Sequence, residues 1–423
     1  MRDLALLLII LTLVGLTLWR PWMGAVSVSV VGYLSPHNYG SPALQAFPAY
    51  LVVFSAASIG LLRVWWRGEF RPWLPRDWRV WGIALLWLWF VYTSFHSLAG
   101  YAAWPRMEEF SKSLLALALT LFLIENRKQL LVLMVAMALC FALVAAKGAY
   151  WTLLGGFTDR VYGPPGGHFS DNNLFAVAVV MILPLLHLWL RSIRQVSARV
   201  VVIVLMVLCV ISVLSSWSRG AMLALVATGV MMLTHSRRTR TTALALLCGV
   251  ALATSYLPES WFTRMGSIGT YQEDGSAVSR IEVWKTGLDY LRTTPLTGTG
   301  FDGWQHVTQG GLDWHSSYVE VLVEHGPLGL TLWFALLLGS LVSLTRLAGR
   351  AGNRPQLAWL RDTSQALRAA LLAYGIGSLF LGITYWDLFF HMVVLSAVLT
   401  RIGAHEPLSG ATVSTPESRW SAN

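Results

Sequence analysis

Three short stretches place basic or titratable side chains where helices are expected to begin. In SSWSRGAMLALVAT (215–228), Arg219 heads an otherwise apolar run. Ser218 before it suits an N-cap, which makes Arg219 the first helical residue. In SRIEVWKTGLDYLRTTP (279–295), Ser279 and Glu282 have the spacing of a capping box, so Arg280 is expected to open a second helix that Pro295 ends. In DWHSSYVEVLVEHGPLGL (313–330), Ser317 and Glu320 form another such pair, with His315 just before it. Arginine in a first turn opposes the helix dipole by a few tenths to about 1 kcal/mol. A helix head also offers free N–H groups and positive potential to an anion, and a guanidinium grips phosphate bidentately. Two arginine heads on one membrane face would fit a pyrophosphate. Singly, each residue has a plainer use: an interfacial anchor for Arg219, a surface residue of an amphipathic helix for Arg280, a structural imidazole for His315. Their coincidence on one expected face points to a site.

The elements that must carry these residues are membrane helices. The 423 residues are 55% hydrophobic and 12% charged, half the charge of an ordinary soluble chain. Mean hydropathy is +0.58, and many of the 21 Trp lie beside Arg or Pro at the ends of apolar runs, as in interfacial belts. Spans are expected at 4–34 (broken near Arg20-Pro21), 45–62, 80–98, 110–124, 130–148, 172–190, 200–216, 219–234, 241–256, 316–345, 369–383 and 386–402. The fold class is therefore all-α: a polytopic helical integral membrane protein of about 12 transmembrane helices, with one large loop on the outer face containing short helices.

The net charge of +10 sits mostly in short basic loops and is no nucleic-acid signal. Arg63, Arg67, Arg71, Arg76 and Arg79 share one such loop, Arg191, Arg194 and Arg199 another, Arg237, Arg238 and Arg240 a third, and Arg346 to Arg368 a fourth. With all four in the cytoplasm, both termini are cytoplasmic if 4–34 crosses once; two short helices there would give 13 spans and an outer N-terminus. Residues 4–19 read as a retained anchor, since no small-residue cleavage site follows. Cys140, Cys209 and Cys248 fall in apolar runs and are expected to be buried thiols, with no disulfide or metal framework. The expected organisation is a transmembrane bundle over 1–256, a periplasmic loop with an amphipathic helix over 257–315, transmembrane helices over 316–402 and a disordered cytoplasmic tail over 403–423. The aromatic content of 257–315 argues against disorder there. Ile281, Trp284, Leu288 and Leu291 give its helix an apolar stripe.

On these residues the chain resembles the O-antigen ligase and polymerase superfamily. The pattern is an arginine opening a loop helix, a Pro-Leu-x-Gly-x-Gly turn, then a histidine before a Tyr-hydrophobic-Glu helix ending in Glu-x-Gly. Here these are Arg280, Pro295 to Gly300, His315, Tyr318, Glu320 and Gly326; SWSRGA supplies the other arginine motif at Arg219. The first half, with YLSPHNYG and GGHFSDNNLFAVAVVMILP, is similar to the O-glycosylation ligase branch associated with exopolysaccharide systems. The resemblance implies a GT-C-like inner-membrane glycosyltransferase whose site and one large loop face the periplasm. It moves a glycan from undecaprenyl pyrophosphate to a sugar hydroxyl of lipid A–core, with inversion, no cofactor and no metal, in lipopolysaccharide biosynthesis. Arg219 and Arg280 would bind the pyrophosphate, and His315 would act as the base. No Asp-x-Asp occurs in the chain to offer a familiar metal–phosphate site. Secondary candidates are Arg160 and His168 in the glycine-rich loop 149–171, as contacts to sugar or phosphate, and Tyr318 and Glu320, as groups that orient His315. Asp171 reads as the N-cap of the 172–190 helix. Trp261, Trp284, Trp304 and Trp314 read as loop packing or sugar platforms, and His325 as structural. Partners are the lipid-linked donor, the glycan acceptor and membrane lipids, without nucleic acid.

The same donor chemistry would serve a polymerase, or a ligase delivering glycan to protein or to an exopolysaccharide terminus. A lipid-linked sugar transporter is a different class. It calls for ionisable residues at the bilayer midplane and paired broken helices, whereas the polar constellation here gathers at one face.

Overall fold

Residue types set the helix boundaries closely wherever a cap is local. In a computed structural model that describes residues 1–68, 76–234, 240–242, 244, 248, 249, 257–266, 275–294, 296–308 and 313–404, the chain is helices joined by turns, with no strand among the described residues. In chain order the helices are α1 (Arg2–Trp19), α2 (Met23–Leu34), α3 (Pro42–Gln45), α4 (Ala49–Trp66), α5 (Trp78–Phe95), α6 (Ala103–Leu123), α7 (Arg127–Leu154) and α8 (Asn172–Ser192). They continue with α9 (Val196–Ser215), α10 (Arg219–Leu233), α11 (Glu259–Gly266), α12 (Gly275–Leu291), α13 (Trp304–Val307), α14 (Ser317–Ala351), α15 (Ala358–Gly377) and α16 (Asp387–Ala404). Seven stretches among the described residues are long and apolar enough to cross a membrane: α1, Pro42–Trp66, α7, α8, α9, α14 and α16. The protein is an all-α polytopic membrane protein.

Helix α8 forms the axis of the core. Phe175 through Leu186 are all buried, under contacts from α7, α9, α10 and α15, as expected of a helix apolar all round. Asp171 caps it, accepting from the N–H groups of Asn173 and Leu174 at 2.8 and 3.0 Å. Ser218 likewise caps α10 through the Ala221 N–H at 3.3 Å, which leaves Arg219 as its first residue.

The break expected near Arg20-Pro21 is present and divides segment 4–34 into two helices, because the chain turns extended at Arg20 ahead of Pro21. They pack on each other, with Thr17 and Ser27 hydroxyls 3.0 Å apart. Several boundaries differ from the sequence expectation. Helix α15 starts at Ala358, eleven residues before the expected 369, and stops at Gly377. Its first turns hold charge because Asp362 pairs with Arg191 at 2.9 Å and Arg361 at 3.5 Å. Residues 378–386 then form a turn at the other end. Arg79 is not a loop residue: it is buried in α5, held by Asp77, Ser396 and Thr400. Cys140 and Cys209 are buried, but Cys248 is exposed. The expected span 241–256, Pro295 and the tail beyond residue 404 lie largely or wholly outside the described residues.

Candidate functional site

The break in α14 organises the site end of the bundle. Gly326 has φ +68°, and Pro327 follows it, so the helix divides there. Pro327 has no N–H for the carbonyl of Val323. The turn after α12 supplies the missing donors: Thr299 N–H bonds the Val323 carbonyl and Gly300 N–H the Glu324 carbonyl, both at 2.8 Å. Trp89 donates its indole N–H to the His325 carbonyl at 2.7 Å. The glycines of that turn are sterically required. A Cβ on Gly298 would stand 2.2 Å from the Val323 carbonyl oxygen, and one on Gly300 2.4 Å from the Ser97 Cβ.

Other loops join the same end. Leu98 N–H bonds Thr299 O at 2.9 Å, Val161 N–H bonds Ser215 O at 3.2 Å, and Ser317 N–H bonds Ser378 O at 2.8 Å. Asn172 donates to Ser216 O at 2.7 Å, and Trp261 to Leu214 O at 3.0 Å. The heads of α6, α8, α10, α14 and α16 thus open into one cluster of loops.

The three principal candidates fall in this cluster. His315 is half-buried between Trp314 and the head of α14, with its backbone at φ +46°. Burial lowers its pKa, and the nearby Arg280 guanidinium lowers it further; Asp313 and Asp171 oppose both. Arg219 lies beside the 378–386 turn: a Cβ on its neighbour Gly220 would be 3.0 Å from the Phe380 Cβ. Trp217, two residues before Arg219, is held at φ +59°, so both the Arg219 and His315 segments enter their helices from a left-handed residue. Such backbone costs about 1–3 kcal/mol and persists where surroundings enforce it.

Some sequence assignments need correction. Arg280 is not the first residue of its helix, because α12 already begins at Gly275 and Ser279 lies inside it. Ser317 and Glu320 do not form a capping box. The Ser317 hydroxyl donates to Leu381 O and accepts from Ile383 N–H, both at 2.8 Å. Glu320 accepts from the Thr384 hydroxyl at 2.6 Å. Tyr318 donates to Gly375 O at 2.9 Å. The Tyr318 and Glu320 side chains are therefore engaged with α15 and its connection to α16, and neither is bonded to His315. Arg160 is exposed in its loop, and exposed His168 pairs with Glu109 at 3.2 Å, which raises the imidazole pKa.

His325, read from the sequence as structural, anchors a buried network whose other members the sequence did not reveal. His325 is fully buried and joins Thr93, through Nδ1 at 2.7 Å, to the Tyr385 hydroxyl, through Nε2 at 2.8 Å. Tyr385 donates to Glu324, which also receives the Trp314 indole N–H at 3.3 Å. Arg106 stands 5.6 Å from the Tyr385 ring centroid, within electrostatic reach of Glu320, Glu324 and Asp302. The Glu-His-Gly-Pro run was the available signal, as a buried polar pair at a helix break.

The fold is that of a polytopic helical membrane protein, with Arg219 at the head of α10 and His315 two residues before α14. Residues 204–334, which hold Arg219, Arg280 and His315, match the family model described as O-antigen ligase, which supports the O-antigen ligase superfamily for that part of the chain. Residues 1–195 match a family of unknown function (DUF5935). No curated protein matches the chain. The superfamily comprises glycosyltransferase-like ligases and polymerases, with lipid-linked glycans as substrates.

Proposed function

We propose that the protein is an O-antigen ligase: an inverting, metal-independent glycosyltransferase of the bacterial inner membrane, with its site facing the periplasm. The donor is a glycan on undecaprenyl pyrophosphate, and the acceptor is a sugar hydroxyl of lipid A–core. The observation that carries this is that the segment matching the O-antigen ligase family model holds Arg219, Arg280 and His315, with His315 half-buried and its pKa lowered by burial and by the Arg280 charge. A cation beside a histidine kept neutral suits a leaving group that gains negative charge and a nucleophile that must lose a proton.

In this mechanism the lipid tail lies between helices and the pyrophosphate bridges Arg219 and Arg280. His315 removes the proton of the acceptor hydroxyl as its oxygen attacks the anomeric carbon from the opposite face. The bond between that carbon and the pyrophosphate oxygen breaks, and undecaprenyl pyrophosphate leaves. Arg160 and His168 line the approach as secondary contacts.

The test combines purified protein, undecaprenyl-pyrophosphate-linked glycan and lipid A–core, with and without chelator. Chelator-resistant transfer that requires Arg219, Arg280 and His315 is the expected result. Donor converted into longer lipid-linked chains would instead make the protein a polymerase of the same superfamily.

A further inference from the structure

Arg280 and His315 lie on separate elements, and the Arg280 charge acts on His315. The His315 ring does not fix their separation. Among the described residues no side chain is hydrogen-bonded to its imidazole, and its direction follows from the backbone that carries it. That backbone is anchored one residue earlier, at the fully buried Trp314.

Trp314 is gripped from both sides. The Trp284 indole donates to the Trp314 carbonyl at 2.6 Å. Trp284 is one helical turn beyond Arg280 on α12, so the two share a face. The next position on that face is Gly287; a Cβ there would stand 2.6 Å from Cζ3 of the Trp314 ring and 2.9 Å from Val323 Cγ2. Helix α12 therefore rests directly on the indole, at a separation that only glycine allows. From the other side, Glu324 accepts the Trp314 N–H, and the chain of Tyr385, His325 and Thr93 ties Glu324 to α5. His325 bridges the Thr93 and Tyr385 hydroxyls through its two ring nitrogens, and the Thr93 hydroxyl also reaches the Phe90 carbonyl at 3.1 Å. A satisfied buried network of this kind is rigid.

We propose that Trp314 is the joint that sets Arg280 against His315, with Gly287 and Glu324 as its two bearing surfaces. All three are positioning residues for the transfer proposed above, and the role rests on that reading; none touches the reacting atoms. A residue that merely stabilised the fold would leave the electrostatics of His315 unchanged, and the joint does not. Three charged groups face His315: Arg280 from α12, Asp171 from the cap of α8, and Asp313 two residues before it. Arg280 is the one carried by α12. Undocking α12 takes away the Arg280 charge, which acts with burial to lower the His315 pKa, and leaves both carboxylates in place, so the midpoint is expected to rise.

The experiment is an NMR titration of full-length protein carrying 13C-labelled histidine rings, with the His315 signal assigned by its loss in His315→Ala. Transfer is followed across the same pH range. Trp314→Phe keeps most of the ring and removes the N–H to Glu324; Gly287→Ala pushes α12 off the ring. Both are expected to raise the His315 midpoint and the acid limb of transfer together. They should reduce kcat at least tenfold with little change in KM for the donor. If either replacement fails to fold, the other carries the test. An unchanged His315 midpoint in a folded Trp314→Phe or Gly287→Ala protein overturns the proposal. A shifted midpoint in a protein that transfers no glycan upholds the joint and removes the ligase reading instead.

Discussion

A Cβ placed on Gly326 would stand 2.1 Å from the carbonyl oxygen of Leu296, and Gly326 itself holds φ +68°. The break in α14 and the turn that follows α12 are therefore complementary, each shaped to the other's backbone. Gly326→Ala meets both a left-handed backbone costing about 1–2 kcal/mol and an overlap with a fixed carbonyl worth about 1–3 kcal/mol more. It should lower the thermal unfolding midpoint in detergent by several degrees and abolish transfer. Wild-type stability in the Gly326→Ala protein would show that the turn can retreat without loss.

The environment of His315 gives the proposed transfer a pH dependence of definite sign. The proposed mechanism needs the neutral imidazole, and burial together with Arg280 disfavours the protonated form. Activity should persist below the ordinary histidine pKa of about 6.5 and fall as pH drops through the lowered value. Arg280→Gln removes a cation and should move this limb to higher pH. Rate profiles of the two proteins from about pH 4.5 to 8, a range that brackets the ordinary value, check both statements.

Arginine should also be needed for its geometry at the two cationic positions. A lysine supplies charge but no planar fork, so Arg219→Lys and Arg280→Lys are expected to retain part of the rate that the alanine variants lose. The readout is kcat at saturating donor. Equal losses for lysine and alanine at both positions would mean that charge alone contributes nothing there.

The Thr384 hydroxyl donates to Glu320 at 2.6 Å, with the Thr384 N–H on the same oxygen at 3.2 Å. Thr384→Val removes the shorter bond from a buried carboxyl and should destabilise the protein by about 1–3 kcal/mol. Because Glu320 is bonded to the α15–α16 connection, the acid limb of transfer should stay where it is. A moved limb would return Glu320 to the surroundings of His315.

Local chemistry was legible and tertiary chemistry was not. Ser218 and Asp171 were readable as caps because the acceptor and its N–H partners lie within three residues of each other. Ser279 carried the same signature yet sits inside α12, since the helix begins upstream, at Gly275. Ser317 and Glu320 have capping-box spacing, but both side chains found partners more than sixty positions away. The network through His325 is further still from local rules: it joins residues 232 positions apart, and no periodicity encodes such a pairing. The break at Gly326-Pro327 could be suspected from the residue pair. Its function as the seat for the 296–300 turn required the fold.

The most direct test of the account is to measure donor binding and glycan transfer side by side in His315→Ala. With both arginines intact, the variant should bind undecaprenyl-pyrophosphate-linked glycan as tightly as wild type while transfer falls by about 10²–10⁴. Unchanged transfer in His315→Ala would remove the proposed base and contradict the mechanism.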